Sequence, residues 1–224
     1  MKKSIFLLAF GAMFASANAQ DFKPVQGSKN LEFQFAPLGG SPIGISGLRY
    51  RQFLSPTTAI RANVSLDLSN KSTITQDANK DLGAIELKDR EFTFDLNLRP
   101  GFEKHFTGTD RLSPYIGAEL DFKFRTTSQT IEDQVDTDKK EEIKITNKDG
   151  SMRLGLNGVA GFDYYFAKHL YFGAELSFGF SSTMPFKTKT EIPGEPTEES
   201  SEDKSNTFDL EPKAVTAIRL GYLF

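Results

Sequence analysis

The sequence contains no cysteine, no tryptophan and only two histidines among its 224 residues. Without cysteine, the chain has no disulfide framework and no thiol to which a lipid could be attached. After its N-terminal segment it also has no apolar run that approaches the roughly eighteen residues of a membrane-spanning helix. A membrane-spanning part of this chain would therefore have to consist of strands.

The N-terminal segment has the three parts of a secretory signal. Two lysines precede an apolar run over residues 5–15, and the small residues Ala17 and Ala19 follow it. The run is too short to span a bilayer as a helix, whereas the order of charged, apolar and small residues is typical of a cleaved leader. We predict that residues 1–19 are a signal peptide and that residues 20–224 form one domain.

The charge balance bears on the class of partner. Beyond the signal, 25 basic residues stand against 30 acidic ones, a formal net charge of −5. This balance argues against a nucleic-acid partner, because such a partner is held by basic contacts to phosphates. The sequence also indicates no metal site and no cofactor, since it lacks the ligand spacing of a calcium loop and a phosphate loop placed before a helix.

Apolar and polar residues alternate with a period of two along most of the chain. In residues 59–68, for example, every even position is apolar and nearly every odd position is polar. Side chains on a strand point alternately to opposite faces, so each such segment has one apolar and one polar face. Eight segments show this pattern: Leu31–Phe35, Ile43–Leu54, Ala59–Leu68, Phe92–Phe106, Tyr115–Arg125, Met152–Phe166, Leu170–Phe180 and Lys213–Phe224.

The second segment contains a conflict of parity. Ile43 and Ile45 are odd-numbered, whereas Leu48 and Tyr50 are even-numbered. One extra residue in a strand moves every later side chain to the other face. The sequence therefore predicts a bulge near Ser46-Gly47.

The connections between these segments alternate in length after the first one. Long connections are predicted over residues 69–90, 126–150 and 182–212, with short turns between them. Antiparallel up-and-down strands would then place the short turns at one end, predicted to be periplasmic, and the long loops at the other. The second and third long loops carry net charges of −3 and −5, and alternation around residues 142–146 predicts a projecting hairpin.

The last strand carries the most specific signal. Ile218, Leu220, Tyr222 and Phe224 share one face, and the chain ends on the aromatic residue. This strand resembles the terminal strand of bacterial outer-membrane β-barrels. The chain from residue 20 onward is similar to the eight-stranded OmpA/OmpX-type barrels of Gram-negative bacteria. The resemblance implies a location in the cell outer membrane among its lipids. It also implies that the barrel-assembly machinery reads the terminal strand as an insertion signal, and a monomer is expected.

Alternation alone does not say which face looks inward, so a soluble barrel of the lipocalin kind is the alternative. Nearly every strand carries large apolar residues on one face, and these would overfill an interior only just wide enough for side chains. Aromatic residues near the short turns, including Tyr171 and Tyr222, are predicted to form an interfacial girdle outside the barrel. We predict an all-β, eight-stranded antiparallel up-and-down transmembrane β-barrel with a polar, charge-paired interior.

The polar faces then define the candidate site. Charges of both signs fall on them in near balance, as an enclosed network requires. The predicted network consists of Arg49, Arg51, Arg61, Asp67, Asp95, Arg99, Glu119, Asp121, Lys123, Arg153, Asp163, Glu175 and Arg219. Further charges on the same faces are Glu32, Glu103, Arg125 and Lys213.

Three functions follow from such a barrel. The first is a non-enzymatic anchor that displays the long acidic loops outside the cell, for envelope integrity or for contact with a ligand that the sequence does not identify. The second is a small porin-like channel with a hydrated interior. The third is a lipid-modifying outer-membrane enzyme, which usually needs a histidine base near the outer rim. His105 and His169 map instead to the short-turn end, where they are predicted to be surface residues, so no catalytic residue is predicted.

Overall fold

A computed structural model of the chain describes residues 22–35, 45–78, 84–136, 139–200, 204–213 and 218–224. The predicted signal peptide, residues 1–19, and the first predicted connection, around residues 37–42, lie outside these ranges. Within the described ranges, no helix has the length and apolar character needed to cross a membrane.

Twelve strands make up the described part of the chain. Their bounds are β1 Lys29–Phe35, β2 Ile45–Ser55, β3 Thr58–Gln76, β4 Leu87–His105, β5 Leu112–Asp136, β6 Lys139–Thr146, β7 Ser151–Ala167, β8 Leu170–Pro185, β9 Thr188–Glu191, β10 Glu198–Ser200, β11 Thr207–Lys213 and β12 Ile218–Leu223. All pairs of neighbouring strands run antiparallel.

Eight of these strands close into a ring. Going round it, the order is β1-β2-β3-β4-β5-β7-β8-β12, and β12 returns to pair with β1. The closing seam pairs Phe33 with Leu220, and the other side of the same strand pairs Phe33 with Leu48. β11 lies on the edge of β8 next to β12 and extends this side of the ring. The predicted eight-stranded antiparallel barrel is confirmed.

The bulge in β2 lies where the parity conflict predicts it. Gln34 of β1 pairs with Gly47, whereas the next residue, Phe35, pairs with Ile45. Ser46 is therefore the extra residue, and it reconciles the two halves of β2.

The two faces of the ring differ in the sense required of a membrane barrel. Large apolar side chains project outward and stay exposed, for example Leu120 at 58% and Phe178 at 55% of their surface. Others on this outer belt are Phe33, Leu48, Ile60, Val64, Leu66, Phe102, Ile116, Leu154, Phe162, Phe172 and Leu176. On the inner face, by contrast, many polar side chains are buried, among them Arg51, Arg61 and Glu119. An apolar exterior around a polar interior suits a bilayer and not water, so the soluble alternative is wrong.

The strands continue far beyond the apolar belt at the long-loop end, which corrects the predicted loop bounds. β3 extends to Gln76 and β4 begins at Leu87, so most of the predicted loop 69–90 is a paired ribbon. The predicted hairpin around residues 142–146 is confirmed, because β6 pairs with the outer part of β5. The predicted loop 182–212 contains the end of β8, all of β9 and β10, and all of β11 except its last residue.

A change of partner along β5 separates the barrel from this extension. Arg125 still pairs with Ser151 of β7, whereas Ser128 already pairs with Thr146 of β6. Beyond this point the strand order is β3-β4-β5-β6-β9-β10. We call the outer parts of β3, β4 and β5, together with β6, β9 and β10, the projecting sheet.

One lysine ties the loops together where the projecting sheet begins. Asn147, with a φ of 59°, turns the chain between β6 and β7. Lys204 Nζ donates to the carbonyl oxygen of Asn147 at 2.8 Å and to that of Phe186 at 2.5 Å. The segment that precedes β11 is therefore attached to two other connections at the barrel rim.

Glycines on the inner face allow large side chains to cross the barrel, which gives a test of the two faces. A Cβ at Gly221 would lie 2.1 Å from Cζ of Tyr171, so we expect Gly221→Ala to destabilise the barrel by about 1–3 kcal/mol. The matched control is Gly158→Ala on the outer face, where a Cβ meets only the carbonyl oxygen of Phe178 at 3.7 Å. We expect that variant to stay within about 0.5 kcal/mol of the wild type. Urea unfolding in liposomes, followed by gel mobility without boiling, measures both, and equal effects would contradict the assignment of faces.

Candidate functional site

Nine charged side chains fill the short-turn half of the barrel, and all are buried. They come from all eight ring strands, including the terminal strand β12 that closes the ring. The set is Glu32, Arg49, Arg51, Arg61, Glu103, Glu119, Asp163, Glu175 and Arg219. We call these residues the buried ion-pair cluster.

Arg51 contacts three carboxylates at the short-turn side of the cluster. Its Nη1 donates to Glu103 Oε2 at 2.9 Å and to Asp163 Oδ2 at 2.8 Å. Its Nη2 lies against Glu32 and also donates to the Tyr171 hydroxyl at 2.8 Å. One guanidinium therefore joins strands β1, β4, β7 and β8.

Glu175 is a carboxylate of the cluster that two arginines share. Arg49 binds it in a bidentate manner at 2.9 and 3.1 Å, and Arg61 does the same at 2.8 and 2.9 Å. The Tyr115 hydroxyl donates to Oε2 of the same carboxylate at 2.5 Å. Charge-assisted and bidentate hydrogen bonds of this kind are the strong ones in a site that excludes water.

The remaining arginine of the cluster forms hydrogen bonds across the seam where β12 pairs with β1. Arg219 of β12 donates to Glu32 Oε2 at 3.0 Å and to Asp163 Oδ1 at 3.2 Å. Its Nη2 also donates to the carbonyl oxygens of Phe162 and Ala174 at 3.2 and 3.1 Å. Arg219 therefore links the last strand to β1, β7 and β8.

Aromatic side chains close the interior at the short-turn end. Phe53, Tyr115, Tyr165 and Tyr171 are all at most 1% exposed, and we call them the aromatic floor. The guanidinium of Arg51 lies 5.3 Å from the centre of the Tyr171 ring and 5.8 Å from that of Tyr115. The prediction that Tyr171 belongs to an outer girdle is wrong, because its odd position places it on the inner face. Phe106, Phe166 and Phe224 are exposed on the outside, as predicted.

His105 also lies inside the barrel, which corrects its prediction as a surface residue. Its Nδ1 is 2.9 Å from Ser113 Oγ and its Nε2 is 3.1 Å from Glu103 Oε2. It has the same parity as Glu103, and its ring packs between Phe53 and Tyr115 with centroids 5.1 Å from each. His169 is exposed, as predicted, and its Nδ1 lies 2.7 Å from the carbonyl oxygen of Leu223.

Above the cluster, most of the other predicted network residues form a layer whose cations are partly open to solvent, although Asp121 in this layer is buried. Arg153 Nη2 donates to Asp121 Oδ2 at 2.9 Å, and Lys123 Nζ lies 3.3 Å from Asp95 Oδ1. Arg99 Nη1 is 3.4 Å from Glu119 and so joins this layer to the cluster. We call Asp95, Arg99, Asp121, Lys123, Arg125 and Arg153 the outer vestibule.

One predicted network residue does not join either group. Asp67 is exposed, because within the described residues the neighbouring strand β2 pairs with β3 only as far as Val64. It lies directly across the ladder from Asp95. The side chain of Lys213 lies outside the described residues. Parity placed every charged member of the cluster on the inner face, together with Tyr115, Tyr171 and Asn63, but the predicted network counted charged residues alone and so left out these three, which complete the hydrogen bonds.

The projecting sheet carries a second, smaller charged group. Glu132 lies on a face of the projecting sheet, where the side chains of Arg90 and Lys140 cover it. Their nitrogens lie 2.9 and 2.8 Å from its two oxygens. The backbone N–H of Lys88 donates to it at 3.0 Å. The hydrogen bond from Lys140 is the main cause that lowers the pKa of Glu132 below its usual 4.5. Glu132 is therefore ionised at neutral pH and joins β4, β5 and β6.

The described residues include no group of three or more histidine, cysteine or acidic side chains arranged to hold a metal ion. The interior carboxylates are occupied by arginine and tyrosine instead. Chemically, the inner half of the barrel is a closed set of ion pairs, and the outer half is a partly hydrated basic layer.

A closed eight-stranded ring with an apolar outer belt and an ionic interior defines an integral outer-membrane β-barrel. The family model described as "Putative OmpA-OmpF-like porin family" matches residues 43–210. This match covers most of the chain, and the protein belongs to that OmpA-like family. It is a protein of the bacterial outer membrane.

Several solved outer-membrane proteins are similar to this chain at low identity. OprG from Pseudomonas aeruginosa is 13% identical, with 91% of this chain and 98% of that chain covered and a TM-score of 0.44. The N-terminal β-barrel domain of Pseudomonas aeruginosa OprF is 14% identical, with 90% and 100% covered and a TM-score of 0.30. Ail, the attachment invasion locus protein of Yersinia pestis, is 10% identical, with 89% and 100% covered and a TM-score of 0.34. No curated protein sequence matches the chain.

Removal of one arginine from the buried ion-pair cluster should destabilise the barrel strongly. Arg51→Met leaves Glu32, Glu103 and Asp163 with less positive charge in a site without bulk water, so we expect a loss of about 3–5 kcal/mol in the free energy of unfolding. The control Lys88→Met removes the exposed pair with Glu86, and we expect a change within about 0.5 kcal/mol. Urea titration in liposomes measures both variants. A loss for Arg51→Met as small as that of the control would contradict the cluster.

The lowered pKa of Glu132 predicts that acid loosens the projecting sheet. A carboxylate whose pKa is lowered on folding contributes stability above its usual pKa of 4.5, and the contribution is lost as the pH falls through the lower value. We expect faster amide exchange, corrected for intrinsic rates, in residues 128–136 under acid conditions than at neutral pH. Glu132→Gln should remove most of this pH dependence, whereas Glu142→Gln, at an exposed position of β6, should keep it. The same pH dependence in both variants would contradict the role of Glu132.

Proposed function

We propose that this protein is a non-enzymatic, non-conducting outer-membrane barrel that anchors the projecting sheet and the acidic loops outside the cell. The observation that carries the proposal is the buried ion-pair cluster above the aromatic floor. In outer-membrane barrels the short turns face the periplasm and the long loops face outward. The projecting sheet would then stand on the cell surface.

The packing of the interior supports an anchor over a channel. Arg51, Arg61 and Glu175 reach the middle of the ring from different strands and contact one another's partners at 2.6–3.1 Å. An eight-stranded barrel is only just wide enough to be filled by its side chains. Opening a water path would require several of these hydrogen-bonded ion pairs to separate together.

The projecting sheet supports a role in surface contact. Over residues 66–75 of β3, both faces are exposed, and within the described ranges this stretch pairs only with β4. An exposed strand edge can add a strand from a partner. The loop 182–212 adds a net charge of −5, which favours a partner with a basic surface.

The interior hydrogen bonds argue against catalysis at an arrangement that resembles a hydrolytic triad. Ser113, His105 and Glu103 form a hydrogen-bonded chain. All three are buried, and Glu103 already accepts from Arg51 and Arg61. A substrate would have no approach to the serine, so we assign the chain to support of the floor.

Export and insertion complete the proposal. Residues 1–19 would direct the chain across the inner membrane, and the outward-facing residues Leu220, Tyr222 and Phe224 of the last strand would be read by the assembly machinery together with Ile218. The exposed apolar belt would contact outer-membrane lipid, and the closed ring supports a monomer.

Conductance across a planar bilayer tests the choice between anchor and channel. Refolded protein whose gel mobility changes on boiling, as expected of an intact barrel, should give no steady single-channel openings. Boiled protein at the same concentration is the control for leak caused by unfolded chains. Steady openings of uniform size from the folded sample alone would contradict the anchor and favour the porin-like channel.

A further inference from the structure

The outer vestibule is distinct from the buried ion-pair cluster because solvent reaches it. The side chains of Arg99, Lys123, Arg125 and Arg153 expose between 22% and 40% of their surface, whereas every arginine of the cluster exposes at most 1%. Lys123 and Arg153 are direct neighbours across the β5–β7 ladder. Three adjacent ring strands, β4, β5 and β7, therefore present cations to one hydrated space.

Positive charge exceeds negative charge in this layer. Asp95 is shared by Lys123 and Arg125, whose nitrogens lie 3.3 and 3.8 Å from its oxygens. Arg99 has Glu119 as its partner, but Glu119 also accepts from Arg61 of the cluster at 2.6 Å. The vestibule thus holds four cations and only the two carboxylates Asp95 and Asp121 of its own.

Some of its donors are also unused. The distance of 3.8 Å between Arg125 Nε and Asp95 is too long for a hydrogen bond. The Nε atoms of Arg125 and Arg153 have no hydrogen-bond partner among the described residues, but they are buried, as are those of Arg51, Arg61 and Arg219, so the exposed ends of the guanidinium groups are the donors open to an anion. Guanidinium groups with free donors bind carboxylates and phosphates with good geometry.

The outer vestibule is reached from one end of the barrel. The inward positions of β7 and β8 next to it are Gly155 and Asn157 and, across the ladder, Ser181 and Gly179. The buried ion-pair cluster forms the bottom of the space. The closed ring of strands separates it from the membrane, so a ligand must enter from the long-loop end.

We propose that the outer vestibule is a binding site for a small oxyanion, such as phosphate or the phosphate group of a solute. The anion is held by Lys123, Arg125 and Arg153 and stops above the buried ion-pair cluster. This site does not depend on whether the barrel conducts. A phosphate on a membrane lipid does not reach it, because its headgroup lies outside the ring.

Two acidic residues beside the outer vestibule should weaken its affinity for an anion. Asp67 is across the ladder from Asp95, and Asp209 is across the ladder from Ser181 on β11. Asp67 is exposed and Asp209 is half-buried, and each adds a negative charge beside the vestibule that repels an approaching anion. Removal of one of them should therefore tighten binding.

Titration of the folded protein in nanodiscs with inorganic phosphate at low ionic strength tests the site. Amide NMR signals of β5 around residue 123 and of β7 around residue 153 should shift in a saturable manner. Arg153→Gln should weaken binding by about tenfold, as loss of a charged hydrogen bond implies. Lys123→Gln, which is more exposed and leaves the Arg153–Asp121 pair intact, should weaken it in the same direction, and Asp67→Asn should strengthen it.

The control is Lys88→Gln, which removes one positive charge from the projecting sheet outside the vestibule and should change the affinity by less than about twofold. Replacing part of the nanodisc lipid by one with a phosphomonoester headgroup should leave the same signals in place. Absence of saturation, or equal weakening by Lys88→Gln and Lys123→Gln, would overturn the proposal. Shifts produced by the phosphate lipid alone would place the anion on the membrane and would overturn it as well.

Discussion

The structure depends on the requirement that charge enclosed by a ring of strands must find its partner inside the ring. Lipid surrounds the barrel, and the bore of eight strands leaves little room for water. An isolated ion in such a place is very costly, and its removal from water is offset only by close, hydrogen-bonded partners. Glu175 meets this requirement with two arginines and a tyrosine, and Arg51 with three carboxylates and a tyrosine. The cluster can exist only if the ring is closed, and each of its members joins strands that are far apart in sequence.

The same strands pass from a lipid environment into water along their length. Within the apolar belt, outward residues contact lipid and inward residues are packed. Beyond the belt, water reaches both faces, and the alternation continues without either face being buried. β5 shows the transition most clearly, because its inner half pairs with β7 and its outer half pairs with β6. There, cross-strand ion pairs such as Arg90–Glu132–Lys140 connect the strands, because no apolar face is available to pack.

The sequence predicted the elements that a period of two can reveal. It predicted eight ring strands, the bulge near Ser46 and the hairpin formed by β5 and β6, because one-sided burial leaves a readable pattern. The ribbon of β3 and β4 beyond residue 69 was missed, since strands with two wet faces need no apolar residues. Parity also identified which charges point inward, but no local pattern states that Arg219 contacts Glu32, 187 positions away in the chain. Asp67 was misplaced for the same reason, because parity does not reveal the height of the barrel rim. Tyr171 was assigned to the girdle from residue type, although its parity placed it inside.

Nitrogen NMR of the arginine side chains tests the enclosed ion pairs most directly. We expect Arg49, Arg51, Arg61 and Arg219 to give separate Nη–H signals, because bonds to fixed carboxylates stop rotation of each guanidinium and burial slows exchange with water. Exposed arginines such as Arg90 and Arg111 should give single averaged signals in the same sample, and a lysine replacement of each buried arginine would assign its signals. If the four buried arginines also gave averaged, rapidly exchanging signals, the interior would be hydrated and mobile, and the central claim would be contradicted.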